Sequence, residues 1–515
     1  MVDTMQVTRH LSHYLSLLED AGIVCGAHVD GAELIDIAYA TDDSRRVVPG
    51  TLFVCKGASF KRDYLLQAIE AGAVAYVSEI DYAVDAEAGS PVPCVLVDDI
   101  RAALGLIADA AYDHPSGRVK VCAFTGTKGK TTSVYYLKGI LDSQASRDDA
   151  HSAAVLSSIL LDDGVHRGIS KLTTPEAFEL ERHLSNAASV GCEHVVMEAS
   201  SQALKYERTL GVEFAAGVFT NIGEDHISPI EHPDFEDYFS SKLRLFRCCR
   251  VAVVNLDMEH VDRVIDAAAS CERIVTYSLA NGSADVFCAS MKYCADGIRA
   301  EVRTPRFTRE ILVPTPVKFN VINALGAIAA AEALGLDEDA IVEGFGGVQV
   351  PGRMELYPTE SGIILGVVDF AHNGMSLETM LLDLRESHPD RELVVVFGAT
   401  GGKGMDRRET MGAAAGKYAD RIVITEDDPG PEDPRDICEA IARAAAAEGI
   451  ERMEIVLDRE EAIRTAVRDT ERPSIVIVTG KGHETRMLRR GGAEPCESDG
   501  VMLRRALDDY ESGTI

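Results

Sequence analysis

Short apolar runs alternate with helix-like stretches along most of this chain. In the first part, strand-like runs occur at 52–55, 73–77 and 94–97, and residues 64–71 have the spacing of an amphipathic helix. From about residue 118, longer apolar runs alternate with helical stretches; the runs are 120–125, 194–198, 215–220 and 251–255. Such alternation predicts an α/β fold, with a parallel sheet covered by helices on both faces. An alanine-rich helix is expected over 321–334, ended by Gly335.

The same pattern restarts near residue 351. Strands are expected at 363–369, 393–397, 421–425, 453–457 and 474–478, and helices at 375–386, 407–418, 434–447 and 459–469. This order predicts a Rossmann-like, doubly wound sheet, whose site lies at the carboxyl ends of its strands. Polar clusters stand at those ends, at 369–373, 398–404, 426–429 and 480–484.

Two turn-rich stretches predict domain boundaries. One is the cluster His114 to Gly117, and the other contains Gly346, Gly347, Pro351 and Gly352. A chain of 515 residues is too long for one hydrophobic core. We therefore expect three domains: 1–117, 118–350 and 351–515.

The composition narrows the classes of partner. Hydrophobic residues make up 46% of the chain and the net charge is −32. Such an acidic surface repels nucleic acid and anionic membranes, so an anionic substrate needs local cations, backbone amides or a metal. No apolar run approaches the length of a membrane-spanning helix, and the first residues lack a signal-peptide core. The twelve cysteines contain no C-x-x-C pair. We expect a reduced, cytoplasmic protein that does not enter membranes.

The most specific local signal is F-T-G-T-K-G-K-T-T at 124–132. It lies between a predicted strand and a predicted helix, so its backbone amides and the helix dipole suit a phosphate chain. Lys130 can reach terminal phosphates, and the Thr131 hydroxyl can bind Mg²⁺. The alternative is a turn rich in Gly and Lys without a ligand. The flanking strand, the helix and the Lys-Thr-Thr ending favour the phosphate site.

Polar side chains after neighbouring strands suggest a metal. Glu198 ends one strand and His226 follows another, and this pair beside a phosphate loop suits a divalent cation. Plainer alternatives are a helix cap for Glu198 and an ordinary loop histidine for His226. Lys242 stands in a helical stretch, where the residues alone do not distinguish it from a solvated lysine.

Two further features have both a plain and a functional interpretation. The hydroxyls of Thr173 and Thr174 either begin a helix or meet a substrate. Arg208 is either an anion partner or a surface arginine.

A series of short motifs resembles the Mur ligases, and within that family the tripeptide-forming branch. They follow the family order over nearly the whole chain: Asp43-Ser44-Arg45, Pro49 to Phe53, Gly126 to Thr132, Thr173-Thr174-Pro175, Glu198 to Ser201, Thr220-Asn221, Asp225-His226, Gly352 to Glu355, Asp369 to His372, and Gly480 to Glu484.

The resemblance implies an ATP- and Mg²⁺-dependent ligase of peptidoglycan precursor synthesis. Its expected domains bind, in order, the UDP-muramoyl substrate, ATP and the incoming amino acid. The resemblance implies a P-loop ATPase-like parallel sheet for the central domain, 118–350, and a Rossmann-like doubly wound sheet for the last one. It implies that a carboxylate of UDP-N-acetylmuramoyl-L-alanyl-D-glutamate is phosphorylated by ATP and that an amine then attacks the acyl phosphate. A monomer is expected.

The resemblance also implies roles for individual residues. The expected catalytic residues are Lys130, Lys242, His226 and Glu198. The expected metal ligands are Thr131, Glu198, His226 and Lys242, the last as a carbamate. The expected nucleotide contacts are Gly126, Thr127, Lys128, Gly129, Lys130, Thr131, Thr132, Arg353 and Asp369. The expected muramoyl-peptide contacts are Ser44, Thr173, Thr174, Ser200 and Arg208.

The loops of the last domain bear on which amino acid is added. Enzymes of the family that add diaminopimelate usually carry D-N-P-R where this chain has Asp427-Asp428-Pro429-Gly430, and an arginine where it has Lys403. A second carboxylate suits a bidentate arginine, which Gly430 cannot provide. Acidic residues suit the ammonium of L-lysine instead. The expected contacts are Lys403, Asp427, Asp428, Pro429, Gly430, Gly480 and Glu484.

We therefore predict L-lysine, with L-ornithine or meso-diaminopimelate as alternatives. The segment 225–232 also resembles the lysine-adding branch, and the role of His232 stays open. Two rival functions are a folylpolyglutamate or cyanophycin type of ligase, disfavoured by the Asp43-Ser44-Arg45 block, and a nucleotide-binding scaffold without turnover. The presence of Lys130, Glu198, His226 and Lys242 disfavours the scaffold.

Overall fold

The computed structural model describes residues 6–29, 31, 34–57, 60–84, 91–224, 227–228, 231–294, 296–402 and 404–515. The predicted metal ligand His226 and the predicted amino-acid contact Lys403 lie outside the described residues.

The first part of the chain folds as a small, mostly parallel sheet with helices on both faces. Its elements are β1 (Arg9–His10), α1 (Leu11–Asp20), β2 (Val24–His28), β3 (Asp36–Ile37), β4 (Tyr39–Thr41), β5 (Thr51–Val54), α2 (Arg62–Glu70), β6 (Ala73–Ser78), β7 (Cys94–Val97) and α3 (Ile100–Ala111). The sheet order is β2-β7-β6-β5-β4, and only β2 is antiparallel to its neighbour. Leu52 and Val54 pack with α1 and α3, whereas Phe53 packs with α2. This alternation is what a strand buried on both faces requires.

The central part forms an eleven-stranded sheet. Its elements are β8 (Lys120–Thr125), α4 (Lys130–Arg147), β9 (Ala154–Leu156), β10 (Leu160–Asp162), β11 (Arg167–Ile169), α5 (Ala177–Ser189), β12 (His194–Glu198), α6 (Ser201–Lys205), β13 (Phe214–Phe219), α7 (Phe235–Leu243), β14 (Cys249–Asn255), α8 (Val261–Ala267), β15 (Arg273–Ser278), β16 (Val286–Cys294), β17 (Gly297–Arg303), β18 (Thr308–Val313), α9 (Phe319–Leu334) and α10 (Glu338–Glu343). The order is β11-β10-β9-β12-β8-β13-β14-β15-β16-β17-β18. In sheet order, the seven neighbouring strands β9, β12, β8, β13, β14, β15 and β16 pair in parallel. Beyond β9, the strands β10 and β11 extend the sheet as an antiparallel hairpin.

The last part forms a six-stranded, doubly wound sheet. Its elements are β19 (Glu355–Pro358), β20 (Ile364–Asp369), α11 (Gly374–Ser387), β21 (Glu392–Phe397), α12 (Asp406–Tyr418), β22 (Arg421–Ile424), α13 (Pro434–Ala447), β23 (Met453–Ile455), α14 (Arg459–Arg468), β24 (Ser474–Thr479), β25 (Arg486–Arg489), β26 (Gly492–Pro495) and α15 (Asp499–Glu511). The order is β19-β20-β24-β21-β22-β23, and only β19 is antiparallel. Two separate hydrophobic clusters cover its two faces.

The predicted α/β class is confirmed, and the predicted strands and helices recur with ends shifted by a few residues. The chain packs as two compact units. One runs to Ala289 and includes Val302–Arg309 and Asn323–Gly344; the other comprises Ser290–Glu301, Glu310–Ile322 and Phe345–Ile515. The predicted boundary near residue 117 lies inside the first unit, and the three-domain division remains a prediction. All twelve cysteines are free thiols. Among the described residues, no helix has the length and apolarity to cross a bilayer.

Candidate active site

The phosphate-loop motif lies at the carboxyl end of β8, in the middle of the central sheet. Its neighbours are β12 and β13, which pair with β8 in parallel. The register sets Glu198 opposite Phe124, and Phe219 opposite Thr125. Three strand ends therefore meet at one edge of the sheet, as the sequence predicted for the glycine loop and Glu198.

Glycine is required at two positions of this loop. Gly126 has φ +145°, and a Cβ there would overlap the Thr220 hydroxyl. Gly129 has φ +83° and precedes α4; a Cβ there would overlap the Asn323 side chain. Other residues would be strained at these φ values and would also clash, so the loop geometry depends on both glycines.

The segment after β13 braces the loop. The Thr127 and Lys128 amides donate to the backbone and side-chain oxygens of Asn221 (3.0 and 2.9 Å). The Thr220 hydroxyl donates to the Lys128 carbonyl (2.8 Å). The amides of Thr127 and Lys128 therefore hold the loop in place, and the expected phosphate contacts of the loop stay a prediction. The Lys130 amine folds back onto the carbonyls of Gly126 and Thr127 (2.9 and 3.2 Å).

Glu198 and Thr131 lie together at the start of α4. Glu198 is buried, and its Oε1 accepts from the Thr131 hydroxyl (3.0 Å) and from the Ser158 amide and hydroxyl (2.7 and 3.0 Å). The plainer interpretation, in which Glu198 caps a helix, does not apply. The next helix, α6, is capped by the Ser200 side chain, which accepts from the Ala203 amide. Thr132, the next residue of the loop, is also buried. Within the described ranges no cluster of three His, Cys, Asp or Glu side chains forms a metal site.

Lys242 is buried and points at the loop. Its side chain is 1% exposed, and its amine donates to the Gly126 carbonyl (2.8 Å). The amine lies 4.5 Å from the centre of the Tyr238 ring, whose hydroxyl donates to Thr127 Oγ1 (3.2 Å). The alternative of a solvated lysine is therefore wrong. One face of α7 delivers both Tyr238 and Lys242 to the phosphate loop.

The predicted muramoyl-peptide residues fall mostly into one group. Thr174 donates its hydroxyl to the Glu198 carbonyl (2.9 Å), and the Ser200 amide donates to Thr174 Oγ1 (3.0 Å). Arg208 reaches the Thr174 carbonyl (3.4 Å) and pairs with Glu176 (2.8 Å). Arg208 is thus an ion-paired, largely buried residue, and Thr173, next to Thr174 in the chain, is half-buried.

The structure connects Ser44 to these residues indirectly, through contacts made by its neighbours in the fold. It begins a short 3-10 helix, Ser44–Arg46, capped by the Asp43 carboxylate. Lys56 contacts Asp42 (3.3 Å) and Glu176 (2.5 Å), which links the Ser44 segment to the partner of Arg208.

In the second unit, the two predicted nucleotide residues brace one turn. The Asp369 carboxylate accepts from the amides of Met354 and Ala371 (3.0 and 2.8 Å). The Arg353 guanidinium lies over the Phe370 ring at 4.4 Å. The turn that carries Arg353 is therefore tied to the end of β20.

The predicted amino-acid residues lie on two neighbouring loops, after β22 and β24. Lys481, which the sequence analysis did not select, lies between them and contacts both Asp428 (2.8 Å) and Glu484 (2.7 Å). Gly480 has φ +111°, and a Cβ there would overlap the Asp427 carboxylate. Pro429 and Gly430 turn the first loop, and the Gly430 amide donates to Leu488 (2.9 Å). Asp428 and Glu484 thus already share a resident ammonium group.

Burial sets the electrostatics of these loops. Burial raises the pKa of Asp427 to about 6, although Arg459 and Lys481 nearby favour its charged form. Burial acts to lower the pKa of Lys481, but its hydrogen bonds with Asp428 and Glu484 outweigh this and raise it. Lys481 therefore stays charged, and its single ammonium group pairs with both acidic side chains.

Arg459 is a residue that sequence reasoning missed. It is buried, pairs bidentately with Asp499 (2.7 and 2.8 Å) and donates to the carbonyls of Glu426 and Thr479 (3.2 and 2.7 Å). It ties the ends of β22 and β24 together from beneath the two loops. Ser158 and Asn323 were missed for the same reason, because their contacts are made across the fold and no local pattern marks them. Asn221 was noted as part of the Thr220-Asn221 motif, but its contact with the loop was not predicted.

Comparison with known proteins agrees with this geometry. Residues 124–331 match the Mur ligase middle domain, and residues 352–482 match the Mur ligase, glutamate ligase domain. A UDP-N-acetylmuramoyl-L-alanyl-D-glutamate–L-lysine ligase from Streptococcus thermophilus is 37% identical over 87% of this chain and 88% of its own length. A ligase of the same name from Enterococcus faecalis is 36% identical over 90% of each chain.

A solved structure shows the same fold. The structure of a UDP-N-acetylmuramoyl-L-alanyl-D-glutamate–2,6-diaminopimelate ligase covers 92% of this chain with 95% of its own, at a TM-score of 0.66 and 29% identity. With the phosphate loop, the buried lysine and these similarities in place, the chain belongs to the Mur ligase family.

Proposed function

We propose that this protein is an ATP-dependent ligase that adds L-lysine to UDP-N-acetylmuramoyl-L-alanyl-D-glutamate in peptidoglycan precursor synthesis. One observation carries the proposal. Lys130, the Thr131–Glu198 pair and the buried Lys242 all converge on the loop that begins at Gly126. The names of the lysine-adding relatives, which align with nine-tenths of the chain, support the same reaction.

The reaction has two steps. An oxygen of the substrate carboxylate attacks the γ-phosphorus of ATP, so that an acyl phosphate forms and ADP leaves. The amine nitrogen of L-lysine then attacks the acyl carbon, loses a proton, and phosphate leaves as the amide forms. Both steps bring anions together, so cations and oriented donors at the phosphate loop lower the barrier.

The residues of the loop fit ATP and Mg²⁺. Gly126 and Gly129 allow the positive φ angles and the close packing that shape the loop, and Lys130 supplies a positive charge. The oxygens of Thr131 and Glu198, which lie 3.0 Å apart, are the hard ligands that Mg²⁺ prefers. These two oxygens would hold Mg²⁺, which would supply positive charge to the phosphates. His226 is proposed as a further ligand on the basis of the family motif.

Lys242 fits the proposed carbamate. A carbamate keeps one N–H on Nζ, so the hydrogen bond to the Gly126 carbonyl (2.8 Å) can survive the modification. The added carboxylate group would give the buried side chain an oxygen ligand for the metal. Burial at 1% exposure protects such a group from water.

The substrates are assigned to the two groups of loops described above. Ser44, Thr173, Thr174, Ser200 and Arg208 are proposed to hold the muramoyl peptide, and Arg353 and Asp369 to meet the nucleotide. The loops Asp427 to Gly430 and Gly480 to Glu484, with Lys403, are proposed to hold the amino acid. The absence of an arginine at Gly430 favours L-lysine over meso-diaminopimelate. L-ornithine, one methylene shorter, is the next candidate, because such a difference is worth only about 1–3 kcal/mol.

The remaining expectations accompany this proposal. We infer three functional regions, 1–117, 118–350 and 351–515, for the UDP substrate, ATP and the amino acid. We further propose that the protein is a monomer and works in the cytoplasm.

The test is phosphate release with ATP, Mg²⁺ and UDP-N-acetylmuramoyl-L-alanyl-D-glutamate, comparing L-lysine, L-ornithine and meso-diaminopimelate. The highest kcat/KM is expected with L-lysine. A preference for meso-diaminopimelate would keep the ligase chemistry and reject the assignment of the Asp427 to Gly430 loop. No release with any of the three amino acids would reject the proposed function.

A further inference from the structure

His232 lies at the centre of a buried hydrogen-bonded group in the first unit. Its side chain is fully buried, with Nδ1 2.6 Å from Asp237 Oδ2 and Nε2 3.0 Å from the Ser201 hydroxyl. A carboxylate can only accept, so Nδ1 carries the proton and Nε2 accepts from Ser201. Burial lowers the pKa of His232, which favours the neutral ring that this arrangement needs.

The two partners of His232 belong to different helices. Ser201 is the first residue of α6 and directly follows Ser200, one of the proposed substrate contacts. Asp237 lies in the first turn of α7 and also pairs with Lys205 at the end of α6 (2.7 Å). The imidazole therefore bridges these two helices, beside the direct Lys205–Asp237 ion pair.

The helix that His232 holds carries two residues of the phosphate-loop site. Tyr238 follows Asp237 directly, and its ring also packs edge-on against the imidazole at 5.2 Å. Lys242 lies about one turn further along the same helix and reaches the Gly126 carbonyl. A rotation or slide of α7 would move both side chains relative to the loop.

We propose that His232 is a positioning residue, which locks α7 against α6 so that Tyr238 and Lys242 stay in register with the phosphate loop. This inference rests on the proposed function for its kinetic consequence, although the structural lock itself does not. Supporting residues of this kind typically cost about 10–100-fold in activity when removed.

Kinetics with three variants tests the lock. His232→Ala is expected to lower kcat for phosphate release by about 10–100-fold. The KM for L-lysine should stay within about threefold, because the proposed amino-acid loops belong to the second unit. An asparagine amide can replace Nδ1–H toward Asp237, whereas a glutamine oxygen can replace Nε2 toward Ser201. His232→Asn should therefore keep more activity than His232→Gln, since Asp237 is the link to α7.

A second readout does not need turnover. Amide hydrogen exchange over 235–243 should accelerate in His232→Ala, measured by mass spectrometry on the full chain. The matched control is His183→Ala, because His183 is also buried and pairs with a buried Asp163 at 2.6 Å. That variant should leave exchange in α7 as in the wild type and should retain more kcat than His232→Ala.

Three results would overturn the proposal: unchanged exchange over α7 in His232→Ala, kcat within about threefold of wild type, or an equal loss in His183→Ala. If His232→Ala does not fold, the ordering of the asparagine and glutamine variants decides. If the wild type releases no phosphate, the proposed function fails, and the exchange comparison still decides whether His232 locks α7.

Discussion

Two lysines share one carbonyl oxygen, and this shared contact distinguishes their roles. Lys130 and Lys242 both donate to the Gly126 carbonyl, at 2.9 and 2.8 Å. Lys130 is half-buried at the mouth of the loop, whereas Lys242 is enclosed beneath it. The Lys130 side chain therefore has room to turn toward a bound phosphate, whereas burial holds the Lys242 side chain in one position.

Lys130→Ala is expected to abolish turnover while the fold survives. The lysine supplies charge to the phosphates, and losing such a contact in the transition state costs at least about 10²-fold in kcat. Phosphate release measures the loss, and circular dichroism checks the fold. Lys138→Ala is the matched control, since Lys138 lies on the same helix and forms an ordinary pair with Asp142 (2.6 Å). Turnover retained in Lys130→Ala would refute the role.

Lys242→Ala is expected to be inactive and partly rescued by short carboxylic acids. The alanine leaves a buried space beside Gly126 in which a small carboxylate can replace the missing carbamate. Phosphate release is measured with and without added acetate or formate. Lys120→Ala, which removes an exposed lysine paired with Glu193, should keep its activity and show no response to the acids. Full activity of Lys242→Ala without rescue would show that no carbamate is needed.

Sequence reasoning predicts residues well where a motif is local. The loop Gly126 to Thr132 could be predicted from the strand before it and the helix after it. Glu198 could be predicted in the same way, from its place at the end of a strand of its own. The burial of Lys242 could not be predicted in this way, because it depends on how α7 packs against a loop more than a hundred residues earlier. Arg459 was missed for the same reason, because its partners come from other strand ends. Lys481 lies inside the Gly480 to Glu484 motif, but its contact with Asp428 on the neighbouring loop was not predictable from that motif.

At the scale of elements, two loops of the last sheet are packed with almost no space between them. Gly401, in the glycine loop after β21, donates its amide to the Asp428 carbonyl (3.0 Å). A Cβ at Gly401 would overlap the Pro429 carbonyl. Because this carbonyl is backbone, the overlap can be relieved only if one of the loops moves.

Gly401→Ala is therefore expected to raise the KM for L-lysine by at least about tenfold, since a displacement near 1 Å can cost up to about 10²-fold. The KM for ATP should change much less. Gly491→Ala is the matched control, because a Cβ there meets no atom within 4 Å. An unchanged KM for L-lysine in Gly401→Ala would separate this pair of loops from amino-acid binding.

The regular elements of this fold could be predicted because many inner strands of the parallel sheets are buried on both faces. Strands such as β21 and β24 are fully buried along their length, which gives an unbroken apolar run in the sequence. The hairpin strands β11 and β26 are exposed along their length and have no apolar run. Their pairing is set by the turns and by neighbouring strands, so the sequence pattern does not reveal them.

At the scale of the whole molecule, an acidic chain also buries some of its carboxylates. Glu181, on α5, is 1% exposed, and among the described residues its Oε2 has no hydrogen-bond partner. Burial, together with the nearby charge of Asp109, raises the pKa of Glu181 well above its usual value. Burial also raises the pKa of Asp109, which pairs with His114 at 2.7 Å.

This raised pKa gives the stability of the protein a definite dependence on pH. The folded state holds the Glu181 proton at pH values where the unfolded chain has released it, so the free energy of unfolding falls as pH rises from about 4.5 through the folded pKa. Glutamine has no proton to lose, so Glu181→Gln should be more stable than wild type at about pH 8, by on the order of 1–2 °C in Tm. This difference in Tm should shrink or reverse at about pH 5, where the glutamine of the variant and the buried Glu181 of the folded wild type are both neutral. Thermal unfolding at the two pH values measures it, with Glu179→Gln on the same helix, a partly exposed glutamate, as the control. A gap of equal size at both pH values would mean that Glu181 is not the group that releases the proton.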